Sequence, residues 1–391
     1  MKLSKSKYDI GLVIAVSFLM TLGLIMVFSA SAAVAHEKYG SVIYYLQKQV
    51  FWGFAAILSI FLFSRIKLDL FATRSVSLGG VLFCIVLLLG LFQFGSVVNG
   101  ARRWYSLGFA SFQPSEFAKL ALVIYFAYIF SRKTELLRDW KRGLLPHLMI
   151  FGLAVIPIFF QPDLGTVIMI CLIIGLMTAL STIRLKHLVS GFLFITPAIL
   201  FKIQSSSYQV SRLRDWYLNL ENPLGSGYQI KQSLIGIGKG GLLGSGIGTS
   251  KQKFFFLPDS HTDFVFAIVG EELGFIGTSL VLMLFALILW RGISIARRAP
   301  STFEQYLAVG LTMNLVLYGF MNAAVATMLV PTTGMPMPFL SYGGSSLLSV
   351  GISVGVLINI SRNIHAPSLN SRAARFSKSR RELNRSLIMV D

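Results

Sequence analysis

Ten long apolar runs constrain the fold of this chain more than any other feature of its sequence. They cover residues 10–28, 50–63, 76–94, 117–130, 147–160, 164–180, 188–201, 274–290, 307–330 and 346–360. A helix needs about 20 apolar residues to cross the hydrocarbon core of a bilayer, and the shorter runs reach that length only with their flanks. Charged residues make up only 13% of the chain, against about a quarter in soluble domains. The sequence therefore predicts an all-α, polytopic integral membrane protein with about ten transmembrane helices.

The basic residues indicate how these helices are oriented. If the N-terminus is cytoplasmic, most of the 35 Lys and Arg residues fall in inner segments. The positive-inside rule therefore predicts that both termini are cytoplasmic. The net charge of +19 is concentrated in short inner loops and at the C-terminal end. Membrane topology and contact with anionic membrane lipids explain this excess, so no nucleic-acid partner is expected.

Two outer segments are exceptions to the short loops of this pattern. One covers residues 95–115, and the other is a large outer loop at 203–262, between the seventh and eighth predicted spans. Long loops of this kind usually carry function. We therefore predict a single transmembrane domain over residues 1–362 that includes the large loop, followed by a basic cytoplasmic tail at 363–391.

Three carboxylates, those of Asp263, Glu271 and Glu272, lie within or beside two apolar runs in the sequence FLPDSHTDFVFAIVGEELGFIG, which also contains Asp259. Counting back about 20 residues from Trp290 at the inner surface places Glu271 and Glu272 near the outer boundary of the hydrocarbon core. Asp263 would lie about 12 Å further out if the helix continued. We therefore expect Asp263 at the level of the lipid headgroups on the outer face.

Glu116 and Lys119 are charged residues within the fourth predicted span. Their i,i+3 spacing puts them on one helix face, where they would form an intramembrane ion pair. Charged groups inside a membrane are functional candidates because their insertion is costly. The alternative is a structural pair that fixes helix packing.

The outer segments also carry basic residues beside aromatic ones. Arg102 and Arg103 precede Trp104, and the large loop adds Arg212 and Lys253. Guanidinium groups bind phosphate through paired hydrogen bonds, although aromatic residues at this level also serve simply as interface anchors. A basic cluster next to carboxylates suits a substrate that combines a diphosphate with a group that must lose a proton.

Other polar residues of these segments have less specific signals. His261 lies two residues before Asp263, so the two side chains would not face each other on a helix, and His261 is interpreted as a hydrogen-bonding or gating residue. Asp163 follows a proline, where a helix cap is as good an interpretation as a substrate contact. The His and Cys spacing does not suit zinc, so any metal would be a divalent cation that prefers oxygen ligands, such as Mg²⁺ or Mn²⁺.

Several of these segments together resemble the SEDS family of shape, elongation, division and sporulation proteins, typified by FtsW and RodA. The matching pieces, in order, are NGARRW, QPSEFAK, QPDLGT, GYQIKQSLIGIG, LPDSHTDFVFAIVGEELG and PFLSYGGSS. The resemblance extends over nearly the whole chain. Its approach to Asp263, its end at PFLSYGGSS and its basic tail look more like the division or sporulation type than the elongation type.

The resemblance implies a peptidoglycan glycosyltransferase in the bacterial inner membrane, acting at the division septum. Its substrate would be lipid II, an undecaprenyl-diphosphate disaccharide-pentapeptide, and its leaving group undecaprenyl diphosphate. Asp263 matches the family's essential outer-face aspartate, and Glu116 and Lys119 match positions that line its central cavity. Ser341 and Tyr342 of the PFLSYGGSS motif are added as candidate substrate contacts. The implied partners are a class B penicillin-binding protein, which is a single-span transpeptidase, and other division proteins.

Two other functions compete with this one. In a lipid II flippase, Glu116 and Lys119 would be the moving charges. A non-catalytic scaffold would only recruit the transpeptidase. A flippase has no evident need for Asp263 beside a basic outer loop, and a scaffold has no need for charges within the membrane, so the glycosyltransferase is favoured.

Overall fold

The computed structural model describes residues 8–364 apart from 99, 109, 133–136, 138, 140–142, 182, 184, 223–226 and 255. The predicted basic tail therefore lies outside the described residues from position 365 onwards. Helices dominate the described part of the chain. They are α1 (Ile10–Tyr39), α2 (Tyr44–Phe63), α3 (Arg74–Phe94), α4 (Pro114–Arg132), α5 (Leu145–Phe160), α6 (Leu164–Ala179), α7 (Leu185–Gln204), α8 (Ser207–Glu221), α9 (Tyr228–Gly240), α10 (Val265–Arg298), α11 (Thr302–Ala326) and α12 (Gly344–Ile364).

The ten apolar runs all coincide with helices. Among the described residues, α1, α2, α3, α10, α11 and α12 are long and apolar enough to cross a membrane, and α5 and α6 are shorter apolar helices. Polar residues fix several helix starts. Asp9 accepts a hydrogen bond from the Leu12 amide at 3.0 Å, and Asp163 caps α6 by accepting one from the Thr166 amide at 3.4 Å. The cap interpretation of Asp163 is confirmed.

The outer segment at 95–115 differs from the all-α prediction. It forms a small antiparallel sheet of β1 (Ser96–Val98), β2 (Ala101–Ser106) and β3 (Ser111–Phe112), in the order β1-β2-β3. Gly100 and Gly108 adopt φ values of 76° and 77° in the two connections. Glycine tolerates this left-handed backbone, which allows the chain to reverse within a few residues. The protein is therefore mostly helical rather than all-α.

Much of the large outer loop at 203–262 is helical. It contains α8 and α9, followed by a series of turns from residue 241 to the start of α10. Both helices attach to the end of α11 or the segment after it by side chains that donate to backbone carbonyls. Trp216 donates to Met328 O at 3.0 Å, and Ser233 donates to Ala326 O at 2.7 Å.

The core of the fold is formed by α4, α10, α11 and α12. Most residues in the apolar windows of α11 and α12 are buried within the protein, whereas α2 exposes most of its surface. Two glycines let α12 approach α2 closely. A Cβ on Gly351 would lie 2.8 Å from Ala56 O, and one on Gly355 would lie 2.8 Å from Ile60 O. The sequence GISVG therefore packs as a small-residue helix contact, as its composition predicts.

Candidate active site

A cavity of about 1020 Å³ opens between the sheet, α8, the start of α10 and the start of α12. Six of the predicted site residues line it, namely Arg103, Trp104, Glu116, Arg212, Asp263 and Tyr342. The lining also includes Lys48, Asp163, Asp259 and Tyr318. The cavity therefore brings together residues that are more than 200 positions apart in the sequence.

Asp263 lies in the turn just before α10, half-buried in the cavity wall. The estimate of its depth took the helix to continue outward as far as Asp263. In the structure α10 begins at Val265, and the chain turns between Asp259 and Phe264. The amide of Asp263 donates to Asp259 O at 3.0 Å, and Asn322 Nδ2 donates to the Asp263 carbonyl at 2.7 Å. The backbone of the carboxylate is therefore held from two sides.

The surroundings of Asp263 make it a stronger base than an ordinary aspartate. Burial, reinforced by the charge of Asp259, raises the pKa of Asp263 to about 6. The nearby guanidinium of Arg212, a hydrogen bond from Thr262 and the charge of Arg103 oppose this rise in pKa. A carboxylate with a pKa just below neutrality is mostly ionised at pH 7 and still accepts a proton readily.

Arg212 extends from α8 toward Asp263. Its Nη1 donates to Thr332 O at 3.1 Å, and its guanidinium stacks 4.4 Å from the centre of the Tyr208 ring. Gly334 leaves the space between the two charged groups open. A Cβ there would lie 3.3 Å from Asp263 Oδ2 and 3.8 Å from Arg212 Nη2.

The two adjacent arginines of β2 point in opposite directions. Arg103 lines the cavity and holds the α5–α6 turn by donating to Gln161 O at 3.0 Å and to Pro162 O, with Asp163 3.7 Å away. Arg102 is exposed and donates to Phe92 O at 2.6 Å, outside the cavity. Of these two arginines, only Arg103 lines the cavity, next to Trp104.

Glu116 and Lys119 form the predicted ion pair, with Lys119 Nζ 2.9 Å from Glu116 Oε1. Both side chains are buried, and Glu116 lines the floor of the cavity. The Lys119 ammonium also lies 3.7 Å from the centre of the Tyr318 ring. Ser349 of α12 donates to the Glu116 carbonyl at 3.2 Å, so the pair is fixed between α4, α11 and α12.

His261 packs among aromatic rings rather than against Asp263. Its ring centre lies 4.7 Å from that of Tyr45 and 6.0 Å from that of Tyr342. Burial lowers the pKa of His261 to about 4. The ring is therefore neutral at physiological pH. Ser341, next to Tyr342, is buried and donates to Thr262 O, so it supports the backbone of the turn that carries Asp263.

Lys253 does not join the cavity. Its Nζ lies 3.3 Å from Glu272 Oε1 in the interior, and it also donates to Gly248 O and Ser29 Oγ. Glu271, beside it, accepts from the amide of Lys251 at 3.0 Å and from the hydroxyl of Ser250. The two carboxylates therefore fasten the 245–253 segment to α10. This role was not predictable from the sequence, because the partners lie about 20 residues before the two carboxylates, in a polar loop.

Two further residues escaped the sequence analysis. Asp259 adopts a φ of 53°, and its carbonyl accepts from the amides of Thr262 and Asp263, so it shapes the turn. Ser345, in the first turn of α12, donates to Ser111 O and accepts from the Gln113 amide, both at 3.0 Å, and so joins the sheet to α12. A left-handed aspartate cannot be recognised from its type alone, and the serine contact spans more than 230 positions.

The sequence predicts that any bound metal would be a divalent cation with oxygen ligands. In the described part of the chain, no group of three or more His, Cys, Asp or Glu side chains is placed to hold an ion. Asp263 and Asp259 are close enough to affect each other electrostatically. Two carboxylates suit Mg²⁺ only when substrate phosphates supply further ligands.

Comparison with known proteins identifies the family. A family model described as "Cell cycle protein", covering FtsW, RodA and SpoVE, matches residues 10–366. The chain is 40% identical over 362 residues to stage V sporulation protein E of Bacillus subtilis, covering 93% of this chain and 99% of that protein. It is 34% identical over 370 residues to the probable peptidoglycan glycosyltransferase FtsW of Trichlorobacter lovleyi, covering 95% and 97% of the two chains.

Two solved structures share the fold. A chain from a study of the structural coordination of polymerization and crosslinking by a peptidoglycan synthase complex superposes with a TM-score of 0.72 at 25% identity, covering 92% of this chain and 99% of that one. The rod shape determining protein RodA of Thermus thermophilus superposes with a TM-score of 0.67 at 26% identity, covering 92% and 98%. With the family model matching nearly its whole length, this chain belongs to the SEDS family of FtsW, RodA and SpoVE proteins.

Proposed function

We propose that this protein is a peptidoglycan glycosyltransferase that polymerises lipid II into glycan strands for septal wall synthesis during cell division. The observation that carries the proposal is the placement of Asp263 opposite Arg212 on the wall of a cavity of about 1020 Å³. Curated relatives that cover most of this chain are named probable peptidoglycan glycosyltransferases. A cavity of this size accommodates sugar units together with a diphosphate.

Asp263 is the proposed general base. Its carboxylate takes the proton of the acceptor's GlcNAc 4-hydroxyl while that oxygen bonds to C1 of the donor MurNAc. The bond from C1 to the diphosphate oxygen breaks, the anomeric centre inverts, and undecaprenyl diphosphate leaves with the electron pair. The raised pKa of Asp263, about 6, suits this proton transfer at neutral pH.

The other residues predicted to contact substrate fall into two groups, those that line the cavity and those that lie outside it. Arg212 and Trp104 line the cavity and are proposed to contact substrate. Arg103 shares this wall, but its contacts to the α5–α6 turn also give it a structural part. Arg102 and Lys253 face elsewhere, so we do not include them among the substrate contacts.

Glu116 and Lys119 are proposed to maintain the cavity floor. A moving charge in a flippase would need a loosely held partner, whereas this pair is closed at 2.9 Å and enclosed by Tyr318. The arrangement therefore favours a fixed role in positioning substrate. For the same reason we prefer the polymerase to the flippase. A scaffold without activity would have no use for the environment of Asp263.

We further propose that the ten apolar helices span the bacterial inner membrane. Both termini would be cytoplasmic, and the cavity would open to the outer face at the division septum. The excess of Lys and Arg in the inner segments supports this orientation. The large outer loop would then be the 203–262 segment, with α8 and α9 folded over the outer surface.

We propose that a divalent cation, Mg²⁺ or Mn²⁺, would bind at the site only when the substrate diphosphate is also bound. The diphosphate would supply most of its oxygen ligands, because the described residues hold no group of three or more His, Cys, Asp or Glu side chains placed for an ion. When bound, such an ion would neutralise charge that develops on the leaving diphosphate.

The proposed partner is a class B penicillin-binding protein that cross-links the new strand, together with other division proteins. A structurally similar chain comes from a peptidoglycan synthase complex that couples polymerization and crosslinking, which supports this pairing. A sporulation role is the second candidate, because the chain is 40% identical over 362 residues to a stage V sporulation protein. A fluorescent fusion that marks the vegetative septum supports division, and one that appears only in sporulating cells supports the alternative.

Polymerisation of labelled lipid II tests the proposal directly. The purified protein with its cognate class B penicillin-binding protein is compared with Asp263→Asn, in magnesium or manganese and then in chelator. We expect glycan strands from the wild type alone. If the wild type, folded and partner-bound, makes no strands, the glycosyltransferase proposal is wrong and lipid II translocation becomes the assay of choice.

A further inference from the structure

Three cations line the cavity, and the structure uses them differently. Arg103 of β2 is engaged by the carbonyls of the α5–α6 turn and by Asp163. Arg212 of α8 donates to Thr332 O and lies within electrostatic reach of Asp263. The third cation, Lys48 of α2, has no part in the functional assignments made above.

Lys48 is half-buried at the edge of the cavity, with its Nζ 4.6 Å from the centre of the Tyr44 ring. Among the residues that the structure describes, no carboxylate forms an ion pair with this ammonium and no oxygen accepts a hydrogen bond from it. An ammonium has three donors, and a single aromatic face satisfies none of them fully. Of the three cations, Lys48 is therefore the one whose hydrogen-bond donors all remain available to an anion among the described residues.

Trp52, one turn after Lys48 in α2, connects this part of α2 to α12. The Trp52 indole packs directly on Gly344, where a Cβ would come within 2.3 Å of the ring. This contact seats α2 on the first turn of α12, and Ser346 of that turn also lines the cavity. Lys48 therefore shares the cavity lining with the small and polar residues of this turn, Gly344, Ser345 and Ser346.

The edge of the cavity at Lys48 borders the apolar surface of α2. Val50, Phe51 and Phe54, within two turns of Lys48, are all exposed. A lipid-linked diphosphate joins a charged head to a long apolar chain, so its binding site needs a cation for the head and an apolar surface for the chain. Lys48 supplies the cation, and the exposed side chains of α2 supply the apolar surface.

The geometry points to Lys48 as the group that binds the diphosphate of the donor, the lipid-linked sugar whose C1 is attacked. This inference rests on the proposed function and deepens it. In the transfer, the acceptor oxygen bonds to C1, its proton passes to Asp263, and the C1–O bond to the diphosphate breaks. The diphosphate receives the electron pair, and Lys48 offsets the negative charge on it.

Both the donor and the acceptor carry a lipid-linked diphosphate, and the inversion at C1 of the donor indicates which of the two diphosphates Lys48 binds. The leaving oxygen lies on the face of the sugar opposite to the attacking oxygen, and therefore away from the base. Lys48 belongs to α2 and Asp263 to the turn before α10, and both line the cavity. Because the cation and the base come from separate elements of the wall, Lys48 is assigned to the leaving diphosphate, with the donor sugar between Lys48 and Asp263.

The test measures binding of undecaprenyl diphosphate and of undecaprenol to the full-length protein in nanodiscs. We expect wild type to prefer the diphosphate and Lys48→Gln to lose about 10-fold to 100-fold of that preference. Lys48→Arg should retain most of it. Lys38→Gln, which removes an exposed lysine from the last turn of α1 outside the cavity, is the matched control and should bind like wild type. Unchanged melting temperatures establish that all variants are folded.

Polymerisation assays on the same variants separate this inference from the proposed function. Lys48→Gln should lower kcat and weaken product inhibition by undecaprenyl diphosphate, each by about 10-fold or more. An unchanged diphosphate preference in Lys48→Gln would overturn the inference while a polymerising wild type still upholds the function. A raised KM for lipid II with unchanged product inhibition would contradict the donor assignment. If the wild type does not polymerise, the binding comparison still decides whether Lys48 binds diphosphate.

Discussion

Lys253 and Glu272 form an ion pair of 3.3 Å in the interior of the protein, although Lys253 belongs to the outer loop and Glu272 to α10. Both side chains are almost fully shielded from solvent. The pair therefore fastens the segment before Asp263 to the helix that follows it. The order of the loop depends on a buried charge rather than on apolar packing alone.

Replacing Lys253 by Met should loosen this segment. Removal of one partner from a buried pair costs about 3 to 5 kcal/mol, and we expect the lower end because Glu272 keeps its contacts with Ser29 and the Ser250 amide. Hydrogen–deuterium exchange of residues 244–254 should increase, and the melting temperature should fall. Lys251→Met is the control, since Lys251 is exposed and engages Glu271 only through its backbone. Equal effects of the two variants would contradict this account.

Replacing Asp263 by Asn should reduce polymerisation by about 10² to 10⁴, the usual contribution of a general base. The wild-type rate should also fall about tenfold per pH unit below a pKa of about 6, because only the ionised carboxylate accepts the proton. Initial rates of strand synthesis between pH 5 and 8 measure both effects. A profile that is flat down to pH 5 would exclude Asp263 as the base.

The same substitution should not destabilise the protein at neutral pH. Since burial raises the pKa of Asp263 from 3.8 to about 6, the folded state binds more protons than the unfolded state between these values. The contribution of this carboxyl to stability is therefore fully present below about pH 4 and is lost as the pH rises to about 6. Asp263→Asn should melt at a higher temperature than wild type at pH 7.5, and this advantage should shrink toward pH 4. A lower melting temperature at pH 7.5 would show that the carboxylate is mainly structural.

Replacing either Glu116 or Lys119 alone should destabilise the protein more than replacing both. Each single change leaves a buried charge without its partner, at a cost of about 3 to 5 kcal/mol, whereas Glu116→Gln with Lys119→Met leaves no net charge. Melting temperatures of the three purified variants form the double-mutant cycle. Additive losses would show that the two residues act independently.

Gly274 should not tolerate a side chain. It interrupts α10 with φ 66° and ψ −160°, and a Cβ there would lie 2.4 Å from the amide nitrogen of Gly244. Gly274→Ala should therefore lower the melting temperature strongly. Gly79→Ala, on the exposed face of α3 with open space around it, should be neutral or slightly stabilising. Similar melting temperatures for the two variants would show that the kink is not required.

The sequence was sufficient for the features that depend on neighbouring residues. The apolar runs predicted helices, the i,i+3 spacing predicted the Glu116–Lys119 pair, and a turn position predicted the cap by Asp163. In each case the partner lies within a few residues, so that helix geometry alone fixes the contact.

Distant contacts were not predictable in this way. Arg102 and Arg103 look equivalent in the sequence, but the fold brings Phe92 O to Arg102 and Gln161 O to Arg103, and only Arg103 lines the cavity. Lys253 was assigned to substrate because its charge suits phosphate, yet its nearest carboxylate turned out to be in the interior. Which anion a cation meets is decided by tertiary packing, to which a single sequence gives no access.

The sheet and α8, on different sides of the cavity, are held in place by different contacts. Ser345 joins the sheet to α12, and Arg103 joins the sheet to the α5–α6 turn. By contrast, α8 is attached to the segment after α11 by hydrogen bonds from Arg212 to Thr332 O and from Trp216 to Met328 O, whereas α9 packs closely against α10 at Gly240 and Gly270. Any displacement of α8 would therefore change the separation of the Arg212 guanidinium from Asp263. The basicity of Asp263 thus depends partly on a helix that lies more than 40 positions earlier in the chain.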